Sequence, residues 1–474
     1  MDDSVRRLTR DARRAAAQGP EAIAARRRAR LAEMVAHARA ASPYYRELYQ
    51  DLPERVEDPA LLPVTTKRDL MGRFDEWVTD PEVTHDRVQA FMADPGRAGE
   101  RFQGRYLVAT TSGTSGLRGV FVLDDRNMAV NFALGSRSRG ALGAGAIVKI
   151  LTRAGRTAMV SAPGGHLLST ALTARLRKES RRGRALRVFS MYEPPAELYA
   201  ELARYDPALV VSSPSMLGLL AATQDAMRGA AQEAGQGAGR EAGRAAGRAR
   251  LRPVLVIAGG ETSTEDDLDR IAAAFGAPVH TAYAATECGF LAYGCERRWY
   301  HLNSDWAILE PVDAHHRPTP PGEPSHTALL TNLANRVQPI LRYDLGDSVM
   351  ARPDPCPCGN PLPAIRVQGR AADVLTFPTG RGDRVGITPM AFGTLLDRTA
   401  GVERFQIAQT TATTLRVRLV PSAGADPGRV WSAVHAEITR LLIRHDVTGV
   451  TLEHAEEPPQ RSPGGKYRRI IPLA

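Results

Sequence analysis

Val254-Leu-Val-Ile-Ala258 is a run of branched apolar residues, followed by Gly259-Gly260-Glu261 and then by a helical pattern over Glu265 to Phe275. A short apolar run bounded by glycines reads as a buried strand, and a strand feeding a helix is the repeating unit of an α/β domain. The same order occurs upstream, where Leu209 to Ser212 precedes a helical stretch over Met216 to Met227. Short β-branched runs alternate with helical ones between Val108 and Val349, which predicts an α/β fold around a parallel-rich, largely buried sheet.

On the N-terminal side, Glu21 to Tyr49 reads as helix, with Leu31, Met34, Val35 and Ala38 at three- and four-residue spacing; Ser42-Pro43 ends its regular part. Arg228 to Arg250 repeats Ala-Gly-Arg with almost no large apolar residue, so residues 228–250 are expected to be a flexible insertion. After Gly369 the pattern becomes α+β. Strands are expected near Val374 to Phe377, Phe405 to Gln409, Thr414 to Leu419 and Gly449 to His454, and helices over Pro389 to Thr399 and Val430 to Ile443. The expected division is a large domain over residues 1–369, a hinge at 370–374 and a small domain over 375–474.

The 474 residues exceed what one core usually organises, and 43% apolar with 24% charged residues is an ordinary globular composition. The longest apolar stretches, Val254 to Ala258 and Ala144 to Leu151, are too short to span a bilayer, and the second contains Lys149. The Arg- and Ala-rich N-terminus has no apolar run of the secretory kind, so a cytoplasmic protein without a membrane partner is expected. The net charge is +10, but residues 1–30 hold nine Arg against four acids and residues 228–252 hold six Arg against two Glu. The excess therefore sits in two peripheral runs, read as solvated charge, and the near-neutral remainder argues against a nucleic-acid surface.

Thr110-Thr111-Ser112-Gly113-Thr114-Ser115-Gly116 follows a short strand over Tyr106 to Ala109. Glycines expose backbone N–H groups and the hydroxyls add donors, which suits a phosphate oxyanion, while the spacing is not that of the common NTPase loop. Four further segments follow in order: Gly259-Gly260-Glu261, Tyr283-Ala-Ala-Thr-Glu287, Arg342-Tyr-Asp-Leu-Gly-Asp347 and Ser462-Pro-Gly-Gly-Lys466.

These segments, in this order, resemble those of the adenylate-forming superfamily of acyl-CoA ligases, luciferases and peptide-synthetase adenylation domains, over nearly the whole chain. Leu62-Pro-Val-Thr-Thr-Lys67, Ser213-Pro214-Ser215, Cys356-Pro-Cys-Gly359 and Gly369-Arg370 are similar to the phenylacetate-CoA ligase branch. The resemblance implies a large domain, a hinge and a mobile small domain that carries the catalytic lysine. Residue by residue, it implies that Thr111, Ser112, Gly113, Thr114, Ser115 and Gly116 hold the β- and γ-phosphates of ATP. Tyr283 would stack on adenine beside Gly259, Gly260 and Glu261, Thr286 would contact the α-phosphate, and Glu287 would bind Mg²⁺. Asp347 would accept the ribose hydroxyls with Arg370 nearby, and Lys466 would stabilise the charge that gathers when a carboxylate attacks the α-phosphate.

The implied reaction is adenylation of a carboxylic acid, aromatic by analogy with the branch, followed by transfer to coenzyme A. Two positions depart from the pattern: Leu117-Arg118 follows the loop where relatives often have Lys, and Ala372 stands at the hinge where Asp or Lys is usual. The altered hinge motivates an alternative acceptor, an amine or a carrier-protein thiol. A further alternative, motivated by the basic segments, is an inactive ligase fold serving as a zinc-stabilised nucleic-acid or interaction protein.

Cys295, His301, Cys356 and Cys358 supply three thiols and an imidazole, the ligand set of a closed structural zinc site. Their spacing alone leaves isolated thiols equally open; the resemblance implies Zn²⁺, because related ligases bind it at matching positions. Cys288 reads as a small core residue. His166, in Ala162-Pro-Gly-Gly-His166, is a weak candidate for contact with the acid and equally reads as a satisfied loop histidine.

Overall fold

The computed structural model describes residues 3–111, 119–139, 143–161, 165–179, 185–235, 250–370, 374–379, 384–387, 392–393, 395–396, 399–460 and 468–473. Among them, one sheet runs in the order Asp347–Ala351, Ala364–Arg370, Tyr300–Leu302, Ala292–Gly294, Val279–Tyr283, Leu255–Gly259, Leu209–Ser212, Thr157–Ser161, Leu186–Ser190. The five strands from Val279–Tyr283 onward are parallel, and the first four pair antiparallel. The strand expected at Val254 to Ala258 is Leu255–Gly259, and the helix after it spans Glu265–Phe275. A capping box between Thr264 and Asp267 starts that helix, and Gly276 in the left-handed conformation stops it.

Helices Pro195–Tyr205, Pro214–Gly235 and Glu265–Phe275 pack Leu202, Leu220, Ile271 and Phe275 against Val210 and Val256 of the sheet. A second core gathers Tyr45, Trp77, Phe121, Leu330 and Tyr343 around the hairpin Leu107–Thr110 and Val120–Leu123 and the antiparallel strands Ala307–Val312, Thr327–Asn332 and Ile340–Asp344. A third core draws all its residues from Leu375 onward. There the helix Pro427–Arg444 lays Val434 and Ile438 on a sheet ordered Thr451–Ala455, Thr414–Pro421, Val402–Thr411, Ile470–Ile471. Separate cores are what separate domains require. Arg370 is the last residue of the strand Ala364–Arg370; Ala372 lies outside the described residues.

Two expectations about the charged segments change. The helix Pro214–Gly235 runs through residues 228–235, because Ala, Gln and Glu at this end are good helix formers that offset Gly229; residues 236–249 lie outside the described residues. The basic N-terminus is a helix, Asp3–Gln18, with Val5, Ala12 and Ala15 buried against the body. A second helix, Pro20–Ala41, follows it, and Ser42 caps the short helix Pro43–Leu48.

Arg30 bonds Asp11 (2.6 Å) and the Asp305 carbonyl (2.6 Å), and its guanidinium lies 3.6 Å from the Trp306 ring centre. Arg137 grips Asp305 with two bonds, 2.7 and 2.8 Å, and the Ala12 carbonyl with a third. Asp305 is fully buried. Part of this charge is therefore structural, because buried ions must be paired. No described helix is long and apolar enough to cross a membrane.

Candidate active site and metal centre

Gly259 and Tyr283 end neighbouring parallel strands, with Gly259 in register with Ala282. Ligands of open α/β sheets bind in the crevice outside such carboxyl ends. A Cβ on Gly259 would stand 2.9 Å from the Ala282 carbonyl oxygen, and Gly260 has φ +85°, so neither position accepts a side chain without strain. The turn delivers Glu261, whose carboxylate accepts from the Ser215 N–H (3.3 Å) in the first turn of Pro214–Gly235. That contact gives the Ser213-Pro214-Ser215 motif a structural task that its sequence did not reveal.

Tyr283 donates its hydroxyl to Asp347 Oδ2 at 2.6 Å, and its ring meets that of Tyr300 edge-on at 6.2 Å. Asp347 sits opposite Arg370 in the strand register, so the two are neighbours in backbone; the Arg370 side chain lies outside the described residues. Gly346, at φ +73°, donates its N–H to Asp344 Oδ1 (3.0 Å) and Thr327 Oγ1 (3.2 Å), forming the turn that presents Asp347.

Glu287 is buried at 5% exposure. Its side chain accepts from the Tyr343 hydroxyl (3.1 Å) and its carbonyl accepts from Asn332 Nδ2 (2.9 Å). Ala285 and Cys288 exchange two backbone bonds of 3.1 Å, closing the turn that carries Thr286, a partly exposed residue. Burial pushes the adjacent Cys288 thiol up to about 12, as expected of a core cysteine. Tyr343 and Asn332 are neighbours of Glu287 that the motif reading missed: Tyr343 lies inside a quoted motif without a role, and Asn332 has no local signal.

The strand that holds Tyr343 also fixes the Leu62 to Lys67 segment. Thr65 donates to the Arg342 carbonyl (3.1 Å) and accepts from the Asp344 N–H (2.8 Å), while Arg342 reaches the Ala60 and Leu62 carbonyls (3.1 and 2.7 Å).

Thr111 closes the mouth of the hairpin, donating its N–H to the Gly119 carbonyl (3.0 Å) and accepting the Gly119 N–H at Oγ1 (2.8 Å). Ser112, Gly113, Thr114, Ser115 and Gly116 lie outside the described residues, as do Leu117-Arg118 and Lys466. His166 is buried at 2%, with its ring 5.5 Å from that of Phe91 and Nε2 3.4 Å from the Asp94 carbonyl. Its carbonyl also accepts from the Thr110 N–H at 2.7 Å, which ties it to the end of the strand Leu107–Thr110.

The ligand atoms of Cys295, His301, Cys356 and Cys358 all lie within 4.8 Å of one another, a group that can hold a metal ion. Cys295 Sγ and Cys356 Sγ are 3.8 Å apart, and Cys358 Sγ is 3.2 Å from His301 Nε2. A sulfur–sulfur edge of about 3.8 Å is that of a tetrahedron with zinc–sulfur bonds of about 2.3 Å, and it far exceeds a disulfide bond. His301 Nδ1 donates to the Leu362 carbonyl (3.0 Å), which turns Nε2 toward the sulfurs. Burial lowers the His301 pKa, so the imidazole is held neutral, the ligating form. Burial raises the Cys356 thiol, but the Cys358 N–H and the neighbouring thiols outweigh it and the net shift is downward. Trp299 roofs the cluster under the guanidiniums of Arg352 and Arg366, 5.0 and 4.6 Å from its ring.

No protein-family model matches the chain, and no curated protein matches it. Solved structures do: the chain has the fold of the adenylate-forming acyl-CoA ligases. It is similar in particular to 2-hydroxyisobutyryl-CoA ligase in the postadenylation state in complex with 2-HIB-AMP, at TM-score 0.63 and 22% identity over 96% of this chain and 90% of that one. The same ligase in complex with R3-HIB-AMP gives 0.62 and 21% over the same shares. An open conformation of it, with 2-HIB-AMP and CoA, gives 0.53 and 21% over 95% and 91%.

Proposed function

We propose that the protein activates a carboxylic acid with MgATP and passes the acyl group to coenzyme A, in the manner of the phenylacetate-CoA ligase branch and in a cytoplasmic setting. The carboxylate oxygen attacks the α-phosphorus, a P–O bond forms, and the bond to the β-phosphate oxygen breaks to release pyrophosphate. The CoA sulfur, having lost its proton, then attacks the acyl carbon and AMP leaves. The observation that supports this reading is the 2.6 Å bond from Tyr283 to Asp347, which brings together the two motifs to which the family resemblance gives adenine and ribose.

In this reading Gly259, Gly260 and Glu261 border the base, Thr286 contacts the α-phosphate, and Thr111 begins the loop over the β- and γ-phosphates. Asp347 and Arg370 hold the ribose. Glu287, oriented by Tyr343, faces the phosphates; Mg²⁺, when bound there, neutralises phosphate charge. Lys466 supplies the cation of the first step. Cys295, His301, Cys356 and Cys358 would hold a structural Zn²⁺, and by supplying four ligands they would leave it no catalytic position. Through it these residues would pin the segment after Glu287 to the segment after Asp347.

Acid-dependent exchange of pyrophosphate into ATP, screened over aryl and aliphatic acids, tests the first step, and its absence across the whole set rules the reading out. A second reading, favoured by Ala372 at the hinge, keeps the adenylate and changes the acceptor to an amine or carrier-protein thiol. Thioester formation with CoA alone excludes it.

A further inference from the structure

The helix Ala144–Thr152 contains no buried residue although it is built largely from apolar ones. Ala144, Ile147, Val148 and Leu151 recur at i, i+3, i+4 and i+7, and all four are exposed, the last three at 47%, 57% and 70%. An apolar stripe of this spacing normally faces a core. Here the inward side is supplied by Ile150, packed on Ala208, Leu209 and Leu255, and the stripe faces out. Leu209 and Leu255 begin their parallel strands, so the helix lies at the amino edge of the sheet, opposite the carboxyl ends that form the candidate site.

The stripe has a basic border. Lys149 is exposed on the helix itself. Arg153 directly follows the helix and holds the Pro207 and Arg252 carbonyls (3.4 and 2.6 Å), which brings the exposed Arg252 alongside. Arg156 completes the set, and Asp206 pairs with two of these four cations, Arg153 (3.5 Å) and Arg156 (2.6 Å).

We propose that this helix is an interfacial anchor that seats the protein on an anionic lipid surface. Charge decides the occupant: a second copy docked on the same face would set cations against cations, whereas an apolar stripe edged by Lys and Arg complements a membrane of acidic headgroups. Spanning is excluded by length, and lying in the interface needs only such a stripe. Docking at the amino edge leaves the carboxyl-end crevice open to water-borne ligands. The proposal is independent of the reaction assigned above.

The test is co-sedimentation of the full chain with phosphatidylcholine vesicles, alone or with about one-third phosphatidylglycerol. Binding is expected to the acidic vesicles, roughly tenfold or more weaker to neutral ones, and weaker again when salt rises to about 0.5 M. The double variant Val148→Ser, Leu151→Ser should bind roughly tenfold more weakly, with circular dichroism and thermal unfolding unchanged. Absence of binding to acidic vesicles, or equal binding by the variant, overturns the proposal. So does a concentration-dependent dimer that the variant abolishes without any vesicle binding, since the face would then belong to a second copy.

Discussion

Tyr283 donates a 2.6 Å hydrogen bond to Asp347 although three strands separate theirs in the sheet order. In a flat sheet four inter-strand steps would span about 19 Å. The antiparallel end of the sheet therefore curls back, bringing the two residues to one crevice.

Removing that hydroxyl alone tests its worth. Tyr283→Phe keeps the ring and loses a bond to a carboxylate, an interaction of about 1.5–3 kcal/mol, so ATP should bind roughly tenfold or more weakly. Calorimetric titration with ATP checks this, and unchanged affinity would separate the bond from nucleotide binding.

Lys466 is assigned to the transition state, so its loss should spare the ground state. Lys466→Ala is expected to slow acyl-AMP formation by about 10²–10³-fold or more with ATP affinity little changed. A wild-type exchange rate in this variant would contradict the role.

Purified protein should carry about one equivalent of zinc, with Cys356→Ser losing most of it and unfolding at lower temperature. The pH dependence follows from His301, whose pKa is lowered by burial from 6.5. Above that value both folded and unfolded chains hold the ring neutral, and stability is unaffected. As the pH falls below about 6.5 the unfolded chain takes the proton first, so folded protein and bound metal are both lost on the acid side. Metal content and melting temperature measured from about pH 8 to 5 report it. Flat profiles would exclude His301 as ligand.

Arg137 is 5% exposed and bonded to the fully buried Asp305. Arg137→Ala leaves that carboxylate paired, among the described residues, with Arg30 at 3.3 Å, and should destabilise the large domain by about 3 kcal/mol or more in urea unfolding. A change within about 0.5 kcal/mol would show that Arg30 and water compensate.

The alternation of strand and helix was legible in the amino-acid order alone, whereas the four candidate metal ligands stood out only beside the resemblance to related ligases. Alternation is a local property: Leu209–Ser212 and Glu265–Phe275 announce themselves by apolar spacing and glycine boundaries. Partnership was not legible, because it is fixed by side chains distant in sequence. Arg30 looks like solvated charge until Asp305 is folded against it. His166 gives no sign in the sequence of its packing beside the Phe91 ring. Tyr343 and Asn332 acquire a role only when the chain sets them against Glu287. The stripe of Ala144 to Leu151 reads as core by its period and is turned outward by the packing of Ile150. Sequence determined which elements form; tertiary structure decided which charges are buried, which strands curl to meet and which apolar face stays open, since each of these depends on what the rest of the chain places alongside.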